Sequence, residues 1–394
     1  MSPQGQQLTP DQMNAIARAA INAQSIRRED VIQQTTIANP VTTSPVFQVI
    51  PRNVGLIKGF MVQVQFTVNN ASGVQLDLSD FGPANIFSQI QFNDLSNNTR
   101  IQTPGWHVHF INTMKARRVF GMAYLGTAMD TPVNYGANFA GQISAPDTIP
   151  AGGTGICTMW FWVPLAYDEE DLRGAIYANV IQATMQLNLT FNPQPIVAFG
   201  TDSTSAIYIG DVAGAVAAAT ITTATITVTQ VYQDQLPVGP QGVLLPVVDL
   251  ATQYELKQTV IQGAVVNQDF AYQYANFRNF LSTIAVYVSS KATGARVGGG
   301  DINNWFLRSA NNTNIWQRSP AYQALITRQH LGTDMPPGVY YFSSRKKPIV
   351  TTQYGNMQLI NNPSVAAVDA YQLVAVEDFA LTQTLSMAGS LASS

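Results

Sequence analysis

Two histidines separated by one residue have the clearest potential for chemistry in this chain. His107 and His109 lie in the apolar string Trp106-His107-Val108-His109-Phe110. On the β-strand that we predict for residues 105–112, both side chains would point to one face and could share a metal ion. A site of the cupin type also needs a glutamate soon afterwards, and none occurs before Lys115. The remaining histidine, His330, is far away in sequence, so we predict hydrogen-bonded strand histidines and no metal.

The other residues that could catalyse a reaction are few. Three histidines and one cysteine offer little material for a nucleophile and its base. Cys157 lies in the apolar run 156–160, which favours a buried small side chain, and a single cysteine excludes an intrachain disulfide. The four consecutive acids at 168–171 are typical of a solvated turn or the first turn of a helix. We therefore predict no enzyme and no cofactor.

Glycine-rich and basic segments do not indicate nucleotide or nucleic-acid binding. The glycine clusters at 152–155 and 298–300 do not continue into a phosphate-binding sequence. The basic clusters 115–118 and 345–347 lack interleaved aromatic residues, so we interpret them as solvated loops or as partners of a neighbour's acids. With 20 basic and 23 acidic residues the net charge is −3, which argues against direct contact with nucleic acid.

The low charge of the chain indicates self-assembly. Only 11% of its 394 residues are charged, whereas about 25% is usual for soluble domains, and 46% are hydrophobic. A surface made of Asn, Gln, Thr and Ser is suited to burial against further copies of the chain. The sequence therefore favours a subunit of an assembly.

The first segment is predicted to differ from the rest. Thr9 and Pro10 form a helix start, and apolar residues at helical spacing predict an amphipathic helix of about five turns up to residue 32, which carries Arg18, Arg27 and Arg28. No secretion signal and no membrane-crossing segment is predicted. We expect residues 1–38 to form an N-terminal helical arm.

From Asn39 onward the hydrophobic pattern has a period of two, which predicts an all-β body. The predicted strands cover 54–68, 86–92, 105–112, 156–164, 181–191 and 218–232, then 258–266, 281–288, 338–343, 347–354 and 371–384. Helical inserts are predicted at 301–307 and 320–328. Two β-sandwiches follow, at 39–235 and 243–386, with a linker at 236–242 that contains Leu236, Pro237, Gly239 and Pro240 and a flexible tail at 387–394. Jelly rolls fit both lengths.

Several strings in this order resemble the major capsid proteins of tectiviruses. They include Val54-Gly-Leu-Ile-Lys-Gly-Phe60, Asp80-Phe-Gly-Pro-Ala-Asn85, Trp162-Val-Pro-Leu-Ala-Tyr167, Asp234-Gln-Leu-Pro-Val-Gly239 and Gln353-Tyr-Gly-Asn356. The resemblance spans about residues 50–360 and weakens in the loops. It implies a double jelly roll of two tandem eight-stranded sandwiches.

The resemblance also implies a function and partners. These are a homotrimeric, pseudo-hexagonal capsomer, neighbouring capsomers, penton and minor capsid proteins, and an icosahedral shell of the virion around an internal membrane and double-stranded DNA. It implies that the N-terminal helix lies near the membrane, which makes Arg18, Arg27 and Arg28 candidate membrane-facing residues. Synthesis would take place in the host cytoplasm. The alternatives are a receptor- or carbohydrate-binding all-β virion protein and a jelly-roll enzyme.

Overall fold

A computed structural model describes most of the chain. The described residues are 10–120, 145–168, 171–178, 183–199, 205–213, 219–237, 252–262, 269–290, 295–296, 302–309, 313–331, 335, 338–345, 349–351, 355–364 and 370–380. Strands dominate, as predicted, and alternate along most of their length between buried apolar and more exposed polar residues. The pattern in β8, where every second side chain from Gly155 to Val163 is buried, is an example.

The first sandwich consists of two opposed four-stranded sheets. One has the strand order β1-β13-β3-β8, and the other has the order β2-β10-β5-β6. Their bounds are α1 Pro10–Gln24, β1 Ile26–Ala38, α2 Pro40–Thr43, β2 Val46–Val49, β3 Leu56–Asn70, β4 Leu76–Leu78, β5 Phe87–Asn93, β6 Thr99–Thr103, α3 Gly105–Phe120, β7 Thr148–Ile149, β8 Thr154–Pro164, β9 Ile176–Tyr177, β10 Gln186–Phe191, β11 Ile196–Phe199, β12 Tyr208–Ala213 and β13 Ala219–Asp234. A small sheet of order β11-β12-β4-β7 lies apart from these two.

The second sandwich repeats the arrangement. One sheet has the order β16-β23-β14, with β20 paired to β16, and the other has the order β15-β22-β18-β19. The bounds are β14 Gln253–Gln262, β15 Phe270–Gln273, β16 Arg278–Ser290, β17 Ala295–Arg296, β18 Ile302–Arg308, β19 Asn314–Arg318, α4 Pro320–Leu331, β20 Val339–Ser343, β21 Ile349–Val350, β22 Gln358–Pro363 and β23 Tyr371–Ala380.

A parallel contact between β6 and β14 joins the two sandwiches into one ten-stranded sheet. Leu256 lies opposite Ile101, and Lys257 lies opposite Gln102. One hydrophobic core, which includes Phe110 and Tyr341, continues from the first sandwich into the second. The two halves are therefore packed against each other and not merely tethered.

The predicted N-terminal helix is too long. Helix α1 ends at Gln24, and Ile26–Ala38 form strand β1, which pairs antiparallel with β13. Arg27 and Arg28 consequently lie on a strand and not on the helix, and part of the segment predicted as a helical arm belongs to the first sandwich. The run from Val31 to Ile37 contains five β-branched residues, which prefer the pleated surface of a sheet.

Two further predictions have the wrong element type. Residues 105–112 begin helix α3 instead of a strand, and residues 302–308, which overlap the predicted helix 301–307, form strand β18. Trp106, Val108, Phe110 and Ile111 are all buried, because α3 lies between the two sandwiches. A helix that is apolar on several sides has no clear hydrophobic period, so the alternating pattern of its apolar residues wrongly predicted a strand. The helix predicted at 320–328 is confirmed as α4.

Candidate functional site

The predicted histidine pair is not a metal site. Because His107 and His109 are two residues apart on a helix, their side chains leave it in different directions. The Nδ1 atom of His107 lies 2.7 Å from Oγ1 of Thr103. Burial lowers the pKa of His107 to about 3 and that of His109 to about 4, so both are neutral at pH 7. Among the described residues, no group of three or more His, Cys, Asp or Glu side chains is placed to hold a metal.

The main polar site is a buried ionic cluster between the two sandwiches. Its centre is Glu377 on β23, which is fully buried. Nη2 of Arg345 lies 2.6 Å from Oε2 of Glu377, Oγ of Ser282 donates to the same oxygen at 2.7 Å, and the hydroxyl of Tyr254 donates to Oε1 at 2.6 Å. These four residues belong to the second sandwich.

Lys115 on α3 connects this cluster to the first sandwich. Its Nζ atom lies 3.8 Å from Oε1 of Glu377 and donates to the Tyr254 hydroxyl at 3.1 Å and to the carbonyl of Tyr167. The ammonium also lies 4.6 and 4.5 Å from the ring centroids of Tyr167 and Tyr254. One lysine thus makes ionic, hydrogen-bond and cation–π contacts on both sides of the interdomain boundary.

Burial and opposite charge set the ionisation of this cluster. Burial alone would raise the pKa of Glu377, but Arg345 and Lys115 outweigh it and lower the pKa to about 2. For Lys115, burial lowers the pKa to about 8, although Glu377 opposes this shift. At pH 7 the carboxylate is therefore charged and has two cationic partners. Such a pair is costly to break, because either charge left alone would be buried without compensation.

A second cluster lies on the neighbouring strand positions. Nη1 of Arg278 lies 2.5 Å from Oε2 of Glu255 and 3.3 Å from Oδ1 of Asp378, and Lys257 also pairs with Glu255. Asp378 follows Glu377 on β23, so the two carboxylates point to opposite faces of the sheet. Burial raises the pKa of Asp378 to about 7, and Arg278 only partly opposes this.

Neither cluster was predicted from the sequence. Lys115 and Arg345 belong to the basic segments interpreted as solvated loops or as partners of a neighbour's acids, yet both pair with an acid of their own chain. The available signal was the pair Glu377-Asp378 inside an otherwise apolar strand, since buried charges occur almost only with partners. The first cluster consists of ion pairs, hydrogen bonds and cation–π contacts. This arrangement fixes the two sandwiches relative to each other.

The predicted membrane-facing arginines do not form one surface on a helix. Arg18 lies on α1, whereas Arg27 and Arg28 lie on β1 and form ion pairs of 2.7 Å with Glu29 and Asp234. Helix α1 is fixed by Ile21, which is buried in a small cluster of Leu56, Ala166, Leu172 and Ala175. Ile16, in contrast, is 56% exposed.

Other predicted features are placed as follows. Leu236 of the predicted linker packs against the cluster around Ile21, whereas Gly239 and Pro240 lie outside the described residues, as do the glycines 298–300 and the tail 387–394. Asp168 accepts a hydrogen bond from the backbone of Asp171 at 2.5 Å, as in a turn. Cys157 is buried, as predicted. No helix in the described part of the chain combines the length and apolar character needed to cross a membrane.

Comparison with known proteins identifies two matching family profiles and a close relative. A profile described as the N-terminal part of the P3 major capsid protein matches residues 3–236, and one described as its C-terminal part matches residues 251–393. The major capsid protein P3 of Enterobacteria phage PRD1 is 40% identical over 402 residues, which covers 98% of this chain and 99% of that protein.

Solved structures are similar in fold. The crystal structure of the STIV MCP gives a TM-score of 0.62 at 10% identity and covers 92% of this chain and 99% of its own. The quasi-atomic capsid of PBCV-1 virus gives a TM-score of 0.54 at 11% identity, with 90% and 94% covered. These similarities show the fold alone, which is the predicted double jelly roll. Because the family profiles match most of the sequence and the PRD1 relative aligns along nearly all of it, the chain belongs to the P3 major capsid protein family, whose members are structural proteins of the virion capsid and not enzymes.

Proposed function

We propose that the chain forms homotrimeric, pseudo-hexagonal capsomers of an icosahedral shell around the internal membrane of a double-stranded DNA bacteriophage. The observation that carries this proposal is the repeated sandwich, whose two copies share one ten-stranded sheet through β6 and β14. Three such rigid subunits supply six similar sandwiches around one axis, which is the number that a hexagonal lattice position requires.

The interdomain cluster supports this role. A subunit that presents two sandwiches at a fixed angle must resist rotation between them, and the Lys115–Glu377–Arg345 cluster ties α3 to β23 inside the boundary. The scarcity of charged residues supports assembly as well, because polar uncharged surfaces can be buried against neighbours without the cost of desolvating charges. Neighbouring capsomers, penton and minor capsid proteins are the proposed partners, and nucleic acid is not among them.

Helix α1 is the proposed contact with the membrane. Ile21 attaches it to the first sandwich, and the exposed Ile16 and partly exposed Arg18 offer apolar and cationic groups to a lipid surface. Arg27 and Arg28 contribute less than the sequence predicted, because both are paired with acids. One helix binds weakly, but many copies on one shell act together.

Deletion of residues 1–24 tests this proposal. The deletion removes α1 and stops before β1, so the first sandwich retains all strands of its sheets. We expect trimers of normal mass in sedimentation and loss of membrane-containing particles in an assembly assay. The matched control is Ile16→Ala with residues 1–24 otherwise intact, which should assemble with reduced yield. Normal membrane-containing particles from the deletion would contradict the role of α1, and monomers from the intact chain would contradict the capsomer.

A further inference from the structure

The two sandwiches correspond strand by strand. The orders β2-β10-β5-β6 and β15-β22-β18-β19 match, as do β1-β13-β3-β8 and β14-β23-β16-β20. An irregularity fixes the register, since Lys58 is an extra residue in β3 opposite Val231 and Tyr232, and Leu281 is an extra residue in β16 opposite Glu377 and Asp378. Bulges of this kind mark equivalent positions. Helices α3 and α4 also begin two residues after the ends of β6 and β19.

The pairing of β6 with β14 has no equivalent elsewhere in the described structure. Strand β6 pairs in parallel with β14, so each covers an edge of the other. Their equivalents β19 and β1 each pair on one side only in the described structure. Ile101 on β6, which lies opposite Leu256 of β14, is fully buried, whereas its equivalent on β19, Trp316, is partly exposed. The difference is expected if β19 lacks the cover that β14 gives to β6.

The helices show the same difference. Phe110 on α3 is 2% exposed, and its ring lies 5.4 Å from that of Tyr341 on β20 of the second sandwich. Its equivalent on α4 is Leu325, which is 52% exposed. The equivalent of Tyr341 is Trp162 on β8, because Tyr341 faces Ile284 and Trp162 faces Met61 at matching distances from the bulges. Trp162 is partly exposed.

We propose that β19 and α4 of one subunit dock on the first sandwich of a second copy, where β19 pairs in parallel with β1 and Leu325 packs on Trp162. We transfer the register of β6 on β14 to their equivalents, β19 and β1. This register places Glu29 opposite Trp316 and Asp30 opposite Gln317. Arg318 then lies beside Asp30, whose ion pair with Arg52 is 3.7 Å long and only partly buried, so a second cation can join it. This inference rests on the proposed trimer and names the surfaces that form it.

The contact is heterologous and closes into a ring. Each chain carries one donor surface on β19 and α4 and one acceptor surface on β1 and β8, so copies associate head to tail. Six sandwiches, and therefore three chains, complete the ring when each sandwich is rotated by one sixth of a turn from the next, within a subunit and between subunits alike. Exposed edge strands are also liable to uncontrolled pairing, which closure of the ring removes.

Cross-linking of a double variant tests the pairing. Asp30→Cys combined with Gln317→Cys, treated with a short bismaleimide, should give covalent dimers and trimers that end at the trimer on a denaturing gel. Either single variant should stay monomeric on that gel, because the native Cys157 is buried and burial raises its pKa to about 12. The matched control Thr36→Cys with Gln317→Cys moves one thiol six residues along β1, roughly 20 Å, and should not cross-link.

A second variant tests the contact independently, in case the double cysteine variant does not fold. Leu325→Asp changes a side chain that is half exposed in the single chain, so the subunit should fold, and trimer dissociation should shift by roughly tenfold or more in concentration. Ile50→Asp, which is 63% exposed and outside the proposed contact, should leave the trimer unchanged. Trimers that neither cross-link nor respond to Leu325→Asp would overturn this inference and leave the capsomer standing. Absence of trimers in the unmodified chain would overturn the capsomer itself.

Discussion

Glu377 is the residue on which the contact between the sandwiches depends most. It accepts bonds from Arg345, Ser282 and Tyr254 and attracts Lys115, whose side chain is mostly buried. Its strand neighbours Val376 and Phe379 are apolar and buried. A charge at this position is stable only because every partner is present.

Replacement of this carboxylate should be strongly destabilising. Glu377→Gln leaves two buried cations without their counter-ion, so we expect the free energy of unfolding to fall by about 3–5 kcal/mol. Denaturant unfolding followed by tryptophan fluorescence measures the change. Asp269→Asn is the control, because this acid and its hydrogen bond with Asn362 are exposed, and such a surface change alters stability by about 0.5 kcal/mol or less. Equal stability of the two variants would contradict a structural role for the cluster.

Asp378 should make the stability of the folded chain fall as the pH rises. Burial raises its pKa to about 7, from an ordinary value of 3.8, against the cations Arg278 and Lys257 and in the same direction as Glu255. The folded state therefore binds a proton more tightly than the unfolded state, and this residue's contribution to stability falls as pH rises from about 4 to about 7. Asp378→Asn removes that dependence.

Denaturation midpoints of both proteins at several pH values provide the measurement. We expect the variant to gain stability relative to the unmodified chain as the pH increases from 5 to 8. A stability difference that stays constant or shrinks over this interval would show that Asp378 is already ionised at pH 5.

At the scale of elements, helix α3 begins in close contact with the segment 82–86. A Cβ atom on Gly105, its first residue, would lie 2.2 Å from the carbonyl oxygen of Ala84. Gly105→Ala therefore forces the helix start away from the segment 82–86, and we expect a loss of about 1–3 kcal/mol in thermal or denaturant unfolding. Gly73→Ala is the matched control, because a Cβ there meets nothing within 4 Å. A harmless Gly105→Ala would contradict the close packing of α3.

The strands were predictable from sequence, whereas α3 and the end of α1 were not. Alternation in β3, β8 and β13 reflects one buried and one more exposed face, which a sequence pattern displays directly. The apolar residues around Phe110 face both sandwiches, so they lack the one-sided spacing that predicts an amphipathic helix. The end of α1 at Gln24 depends on pairing of β1 with β13, nearly 200 residues away, which no local pattern encodes.

The polar sites were the least predictable part. Lys115 and Glu377 are separated by 262 positions, and only the fold brings their side chains together. A basic segment in sequence gives no sign of whether its lysine faces solvent or a buried acid. The histidine pair is the opposite case, in which the sequence suggested a site that the fold does not form. Its spacing suits a metal site only on a strand, whereas His107 and His109 lie on a helix.

At the scale of the whole molecule, the low charge corresponds to surfaces suited to burial. The outer face of the sheet β1-β13-β3-β8 carries Thr36, Thr225, Gln65 and Thr158 in one row across all four strands, and none of these is charged. A side wall of this kind can be buried against another subunit at little desolvation cost. The Glu377 cluster instead lies inside the subunit, at the boundary of its two sandwiches.

Electron microscopy of the purified chain, combined with its native mass, tests the capsomer most directly. We expect a particle of three times 42.7 kDa whose top view shows six similar lobes with three-fold symmetry. A monomer at all concentrations, or a closed ring with any other number of copies, would contradict it.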